Sequence, residues 1–310
     1  AYNSMMLTYK YRLYPSGKQK EILLRSLITC KRIYNFLLEM SINEYTSSKK
    51  KLTKYEYNKL IKNKHTIHSQ AAQNISDRMH KSFQNFFRRA KDKKCKNKGF
   101  PRFKNKAYSI TYPQSGFKFL SGKALYVSKI GNINIRLHRI PKGKIKTMTI
   151  KQNKAGQFFA YFACDVKEAK IKHGSKEHIG IDMGIKTFAA LSNGTLIENP
   201  KLLIKLEGKL KNLQRMLSRK KRGSNNRRKA KLKLARLHVK ITNQRNDFLH
   251  KISSNIANKY SIIKVEDLNI NNMVKNHHLA KSINDASWNS FIQMLSYKAV
   301  KCGGQLIKVN

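Results

Sequence analysis

The chain has 310 residues, of which 40% are hydrophobic and 9% aromatic, so it can bury the cores of about two domains and is not a disordered chain. Its 66 Lys and Arg residues stand against 16 Asp and Glu residues, and the net charge of +50 predicts a polyanionic partner. A membrane fits poorly as that partner, because no run reaches the roughly 18 apolar residues of a spanning helix and the N-terminus lacks a signal-peptide layout.

The first half of the chain changes its hydrophobic period twice. Residues 7–13 alternate between apolar and polar side chains, which predicts a half-buried strand. Spacings of three and four residues then predict helices over 21–44 and 72–86. The period returns to two at Ile133, Ile135 and Leu137, and QFFAYFACDV predicts a further strand after a turn at 154–156. We therefore predict a β-barrel or sandwich, into which a helical segment is inserted. The barrel comprises residues 1–18 and 95–170, and the insert comprises residues 19–94.

The second half, residues 176–310, follows the polar linker KEAKIKHGSKE and has the element order of an RNase H-like α/β domain. EHIGIDMGIKTFAALSNGTLIE predicts a three-stranded meander. Leucines at heptad spacing predict two long helices, packed as a hairpin over 200–258. SIIKVEDLNI predicts a short, fully buried strand, the stripe from Trp288 to Ala299 predicts a helix, and QLIKVN predicts a last strand.

Two stretches without acids are the predicted phosphate-binding tracks. No Asp or Glu occurs from 93 to 164, a stretch that contains Arg102 and Lys104, nor from 208 to 246, which contains fifteen Lys and Arg residues. Repulsion among the cations of the second stretch would fray its helix ends without a nucleic-acid counterion. The alternative is a solvated basic face, which the lack of alternating charges disfavours. The cations predicted to bind nucleic acid at this hairpin are Arg219, Lys220, Lys221, Arg222, Arg227, Arg228 and Lys229.

Two carboxylates stand out against this basic background. Asp182 lies inside IGIDMGI and Glu266 inside IIKVEDL, both strands of buried character. A buried carboxylate needs a cation, a hydrogen-bond network or a metal ion. If the strands are neighbours, Asp182 and Glu266 converge on Mg²⁺ or Mn²⁺ and support phosphodiester hydrolysis. The alternative for each is an ion pair with one of the abundant lysines.

The remaining candidate groups have structural explanations. Asp267 should face away from Glu266, where it caps or forms an ion pair. Asp285 precedes a predicted helix and is interpreted as its N-cap. The four cysteines are widely spaced and contain no C-x-x-C pair, so no zinc is expected in this chain.

Several motifs, taken in order, resemble the TnpB family, the RNA-guided DNA endonucleases encoded by insertion sequences and related to type V CRISPR effectors. They are LYPSGKQKE, RIYNFLLE, KGFPRFK, GIDMGIKTFAALSNG, KVEDLNINNM and SINDASWNSFIQMLSYKA, which together extend over essentially the entire chain. The combination of GFPRFK, GIDxGIK and VEDLN is specific.

The resemblance implies a bilobed protein of mixed α/β and α+β class. A wedge-like β-barrel with a helical recognition insert would precede a RuvC nuclease domain. It implies a noncoding guide RNA from the transposon end and double-stranded target DNA as partners, and hence a nucleoid-associated cytoplasmic protein. Asp182 and Glu266 match the first two RuvC carboxylates, and Gln73 resembles a position that reads the motif adjacent to the target.

The chain departs from the family pattern at its end. Neither the C-x-x-C zinc ribbon nor the third acidic motif, D-R-D-x-N-A-A, occurs before Asn310. With one carboxylate missing from a two-metal site, we expect impaired cleavage. Three functions stay open: a RuvC-type endonuclease, a guide-directed DNA-binding protein without nuclease activity, and a guide-independent nucleic-acid chaperone.

Overall fold

The structure, a computed structural model, divides the chain into two compact units, Ala1–Glu168 and Ala169–Asn310. The division falls inside the segment KEAKIKHGSKE, where the sequence indicates a linker. Each unit has its own sheet and its own apolar core. The described residues are 4–63, 65–120, 123–167, 174–268, 273, 282–283 and 285–309.

The first unit is built on a seven-stranded antiparallel sheet of order β2-β6-β7-β1-β5-β4-β3. Its strands are β1 (Ser4–Tyr14), β2 (Ser109–Pro113), β3 (Phe117–Phe119), β4 (Ala124–Val127), β5 (Gly131–Arg136), β6 (Lys144–Gln152) and β7 (Phe158–Lys167). Strand β1 lies in the middle, between β7 and β5. The prediction that the first strand joins the later ones is therefore confirmed, and Tyr9, Tyr11 and Leu13 form its buried face.

Three helices share the core of this unit: α1 (Gly17–Ser48), α2 (Lys54–Ile61) and α3 (Ser69–Lys91). Helices α1 and α3 contact β2, and α2 packs against α1 and α3. Helix α1 begins at a capping box, in which Gln19 N donates to Ser16 Oγ at 3.3 Å and Ser16 N donates to Gln19 Oε1 at 2.9 Å. Helix α2 was not among the predicted helices. It begins with the same device, formed by Thr53 and Glu56.

The second unit has a five-stranded sheet of order β10-β9-β8-β11-β12. Its strands are β8 (His178–Met183), β9 (Thr187–Leu191), β10 (Leu196–Glu198), β11 (Ile262–Glu266) and β12 (Gln305–Val309). Strands β8, β9 and β10 form the predicted antiparallel meander. Strand β11 pairs in parallel with β8 and β12. It is half-buried rather than fully buried, because only Ile263 and Val265 face the core.

The helices of the second unit are α4 (Leu202–Lys205), α5 (Glu207–Ser218), α6 (Asn225–Lys259) and α7 (Trp288–Lys301). The predicted hairpin is formed by α5 and α6, but α5 is short, at 12 residues against 35. Leu210, Leu237 and Ile241 form the buried seam between them. Among the described residues, no helix has the length and apolar character that crossing a membrane requires.

Asp285 holds the base of this hairpin and does not cap α7 as predicted. Its Oδ1 accepts a hydrogen bond from Arg245 Nη2 on α6 at 2.5 Å, and its Oδ2 accepts one from Leu203 N at the start of α4 at 3.0 Å. The Asp285 side chain is only 5% exposed. The N-cap interpretation was wrong because the nearest free donors belong to segments that are remote in the sequence.

We expect Asp285→Ala to lower the free energy of unfolding of the second unit by about 3–5 kcal/mol, because it leaves the Arg245 charge buried and uncompensated. Urea unfolding followed by the fluorescence of Trp288, the only tryptophan in the chain and a core residue of this unit, measures the effect. Asp267→Ala is the matched control, since its ion pair with Lys308 at 2.6 Å is about half exposed and contributes under about 1 kcal/mol. Equal effects of the two substitutions would contradict the assignment.

Candidate active site and nucleic-acid interface

Asp182 and Glu266 lie side by side on neighbouring strands. In the parallel pairing of β8 with β11, Ile181 is opposite Val265, so the next residues in register are Asp182 and Glu266. Neighbouring strands are about 4.8 Å apart. Ile181 and Val265 face the core, and side chains alternate along a strand. Both carboxylates therefore leave the sheet on the opposite face, near the carboxyl ends of the two strands.

This face is open to solvent, which differs from the buried setting expected for both carboxylates. Asp182 and Glu266 are exposed. Their sequence neighbours Ile181, Met183 and Val265 are buried. Within the described part of the chain, neither carboxylate has an ion pair or a side-chain hydrogen bond. The alternative that each is already paired with a lysine therefore finds no support in these residues.

The carboxylate pair matches the oxygen chemistry that a hard divalent cation requires. Two adjacent carboxylates without partners repel each other, and a cation between them would relieve that repulsion. The described residues contain no group of three or more His, Cys, Asp or Glu side chains placed to hold a metal ion. The site as described thus offers two protein ligands.

Asp267, next to Glu266, has a separate role. Its carboxylate pairs with Lys308 of β12 at 2.6 Å, which confirms the predicted ion pair. Its backbone N donates to Val309 O at 2.8 Å, so the residue also fastens the end of β11 to β12. This leaves Glu266 as the strand-end acid that can act with Asp182.

The hairpin tip, residues 219–229, is the most basic exposed part of the second unit. Arg219, Lys220, Lys221, Arg222, Arg228 and Lys229 are exposed. None of the described tip cations forms an ion pair with an acid. Gly223 has a φ of 86°, a left-handed conformation that glycine adopts without strain and that lets the chain turn into α6.

Arg227 differs from the other tip cations because its guanidinium is engaged in the fold. Its Nη1 donates to Leu217 O and to Lys220 O, both at 2.8 Å. Leu217 is in the last turn of α5, where its carbonyl also accepts a hydrogen bond from Lys220 N at 3.3 Å, and Lys220 lies just beyond the helix. The backbone N of Arg227 donates to Ser224 Oγ at 3.1 Å, which caps α6. Arg227 thus closes the hairpin, and it was predicted only as a phosphate contact.

Arg102 and Lys104 are also placed differently from each other. Arg102 is exposed, whereas Lys104 is half-buried with its Nζ 3.5 Å from the centroid of the Tyr34 ring. Asn35 of α1 bonds both backbone groups of Lys104, at 2.8 and 3.0 Å. Burial, and then the nearby charge of Arg78, lower the pKa of Lys104 to about 8. Lys104 therefore anchors its segment to α1, and Arg102 is the freer cation.

Gln73 lies on the exposed side of α3, near the beginning of the helix. It belongs to the third helix of the insert and not to the second, because α2 intervenes. Its neighbour Gln70 accepts a hydrogen bond from Ser115 N at 3.0 Å. The position of Gln73 leaves its amide available to a partner.

Comparisons with known protein families give two matches. A family described as "Probable transposase", OrfB_IS605, matches residues 161–277, and one described as "Helix-turn-helix domain", HTH_OrfB_IS605, matches residues 5–50. In the structure, residues 5–50 contain strand β1 and the single long helix α1.

Two relatives match nearly the whole chain. A protein of Streptomyces pristinaespiralis, named as an RNA-guided DNA endonuclease, is 31% identical over 316 residues, covering 97% of this chain and 77% of the relative. A protein of Escherichia coli (strain K12), named as the RNA-guided DNA endonuclease InsQ, is 29% identical over 331 residues, covering 97% and 79%.

A solved structure, that of Cas12f1 in the Cas12f1-sgRNA-target DNA complex, has a similar fold. The TM-score is 0.50 at 12% sequence identity, and the match covers 99% of this chain and 89% of that one. At this identity the likeness concerns the fold, and it confirms the predicted fold class.

We expect Asp182→Asn to leave the free energy of unfolding unchanged or slightly higher, because it removes one of two adjacent like charges that have no partner in the described residues. Urea unfolding followed by Trp288 fluorescence measures the change. Glu266→Gln should behave in the same way. A loss of several kcal/mol in either variant would show that the carboxylate has a structural partner, and would argue against a ligand role.

We expect replacement of Arg219, Lys220, Lys221 and Arg222 by Gln to weaken nucleic-acid binding and to reduce the slope of log K against log salt by about 3–4, roughly one per lost phosphate contact. Fluorescence anisotropy over a salt series measures the slope. Arg227→Gln is the control: it should lower the thermal stability of the hairpin and leave the slope nearly unchanged. An unaltered slope in the fourfold variant would remove the tip from the interface.

Proposed function

The chain belongs to the TnpB family of RNA-guided DNA endonucleases, and on this premise we propose that it uses a guide RNA from the transposon end to find double-stranded DNA. The carboxylates of Asp182 and Glu266 would then form the site that cuts this DNA. The observation that carries the proposal is the register of β8 with β11, which brings the two carboxylates together on an exposed sheet face. An endonuclease site must be exposed in this way because its substrate is a polymer.

We further propose that Asp182 and Glu266 hold Mg²⁺ or Mn²⁺. A divalent ion at such a site supplies charge stabilisation at the scissile phosphate and activates water for in-line attack. The two side chains contribute oxygen ligands, and their lack of partners in the described residues leaves them free to do so. Asp267, held by Lys308, stays outside the ligand set.

The proposal assigns separate tasks to the two units. The sheet of the first unit, residues 1–18 and 95–170, would form the wedge domain, and the insert 19–94 would carry Gln73 to the motif beside the target. Residues 176–310 would form the RuvC domain, with the hairpin tip bound to phosphates. Base pairing with the guide would determine the target sequence, while the protein contacts backbone and shape.

A second function, guide-directed DNA binding without cleavage, is favoured by one observation. The described residues bring together two carboxylates and no third ligand. A second metal ion would then be weakly held, and cleavage by these two residues alone would be slow. Both functions require the same guide and the same target, and they differ in whether the DNA backbone is broken.

The test is cleavage of a labelled target duplex by protein that carries its co-purified RNA, in Mg²⁺ and in Mn²⁺. We expect Asp182→Ala and Glu266→Ala each to lower the cleavage rate by at least about a hundredfold, because each removes a ligand of the ion that stabilises the transition state. RNA binding should change little. Asp267→Ala, at the adjacent position on the opposite face, is the matched control and should cut normally.

Three outcomes distinguish the candidates. Wild-type cleavage by either carboxylate variant would refute the metal-site assignment. Guide-dependent protection of the target without product, even in Mn²⁺, would favour the binding function. Co-purified RNA without a common guide, and binding that ignores target sequence, would favour the nucleic-acid chaperone.

A further inference from the structure

The sheet of the first unit has a second face that the core does not cover. Along β1, Tyr9, Tyr11 and Leu13 are buried, and the Tyr11 ring lies 5.8 Å from that of Phe162 on β7, so the alternate residues project from the other side. We name this side the cation–aromatic face. It comprises Lys10, Arg12 and Tyr14 of β1, Lys151 of β6, and Phe159 and Tyr161 of β7.

Phe159 is at the centre of this face and is surrounded by cations. Arg12 and Lys151 are its direct partners on the two neighbouring strands. Lys10 Nζ lies 4.6 Å from the centroid of the Phe159 ring, and Arg12 Cζ lies 5.0 Å from it. Phe159 is only half-buried, so part of its ring faces solvent.

Tyr161 repeats the arrangement two residues along the same strand. Lys10 is its direct partner on β1, and Lys151 Nζ approaches its ring centroid to 4.9 Å. Residues two apart on a strand lie about 6.8 Å apart on one face. Tyr14, half exposed, adds a third ring beyond Arg12, whose Cζ is 5.5 Å from it. The face thus presents a row of rings separated by cations.

Within the described part of the chain, no acid forms an ion pair with a cation of this face. The sequence has no Asp or Glu in residues 1–20 or 93–164, and Asp165, farther along β7, is paired with Lys146 at 3.2 Å. Among the described residues, the Nη1 of Arg12 is buried and has no hydrogen-bond partner. Burial also lowers the pKa of Lys10 and of Arg12. An anionic ligand beside these side chains would favour both charges.

We propose that the cation–aromatic face binds unpaired nucleotides of single-stranded nucleic acid, with bases stacked on Phe159 and Tyr161 and phosphates contacted by Lys10, Arg12 and Lys151. Aromatic rings interleaved with cations on an exposed sheet suit a ligand that has flat bases and a charged backbone. A duplex keeps its bases stacked inside and would contact only the cations. The proposal does not depend on the guided cleavage proposed above.

A purely structural explanation makes a different prediction. Cross-strand cation–aromatic pairs can stabilise a sheet by themselves. In that case, replacing the rings would lower stability and leave nucleic-acid binding unchanged. The uncompensated cations favour a ligand, because no acid of the described residues forms an ion pair with Lys10, Arg12 or Lys151.

The test uses the full chain and oligonucleotides that contain 2-aminopurine, a base whose fluorescence falls when it stacks. Oligouridine, oligothymidine and a duplex are titrated at a salt concentration high enough to weaken phosphate contacts. We expect the double variant Phe159→Leu and Tyr161→Leu to bind single strands roughly 10- to 100-fold more weakly, about tenfold per lost ring, with an unchanged salt slope. Duplex binding should not change.

Tyr55→Leu is the matched control, because Tyr55 is a 77% exposed aromatic on α2, outside this face. Lys151→Gln should instead reduce the salt slope by about one. If the double variant folds poorly, photocrosslinking of 4-thiouridine RNA to the wild-type chain replaces it, with adducts expected on β7. Tighter binding of RNA than of DNA would indicate that the 2′-hydroxyl of the ribose is recognised, and equal binding would indicate that it is not. Both results agree with the proposal. Equal losses for single strand and duplex, losses no larger than in Tyr55→Leu, or adducts only elsewhere would overturn it.

Discussion

The parallel register between β8 and β11 is the constraint on which the candidate active site depends. Side chains on a strand alternate, so once Ile181 and Val265 are directed into the core, Asp182 and Glu266 must leave on the other side at the same level. A slip of one residue in either strand would place one of the carboxylates among apolar side chains. The energy of the core therefore maintains the pairing of two groups that repel each other.

The excess positive charge is divided between cations that hold the fold and cations that face solvent. Arg227 closes the hairpin, Arg245 satisfies buried Asp285, and Lys104 lies over Tyr34. Each uses its charge on groups inside its own unit. The exposed cations of the hairpin tip and of the cation–aromatic face have no acids to balance them in the described residues. The charge that remains is concentrated where a polyanion can reach it.

The sequence predicted features that depend on local periodicity, and it failed where contacts are remote. Period-two alternation located β1 and β5, and the stripe from Trp288 to Ala299 located α7. Helix α2 was missed although its capping box, Thr53 with Glu56, is visible as a T-x-x-E pattern. The partners of Asp285 are 40 and 82 residues away, a distance at which no sequence pattern indicates contact.

The same limit applied to the candidate site. The acids themselves were identified from the sequence, but their exposure was not, because an apolar strand with one acid has the same composition in either setting. The cation–aromatic face was also missed. Its signal was present as alternating Lys10 and Arg12 in β1 and alternating Phe159 and Tyr161 in β7, but only the pairing of these strands brings the two patterns together.

The separation of the chain into two units with their own cores affects how such a protein can change over generations. Each apolar cluster draws its residues from one unit only, and the division lies in a polar stretch of sequence. Recombination between related genes at this stretch would join two halves without disturbing either interior. A substitution in one apolar cluster can therefore be compensated within that same cluster, and the other cluster keeps its packing.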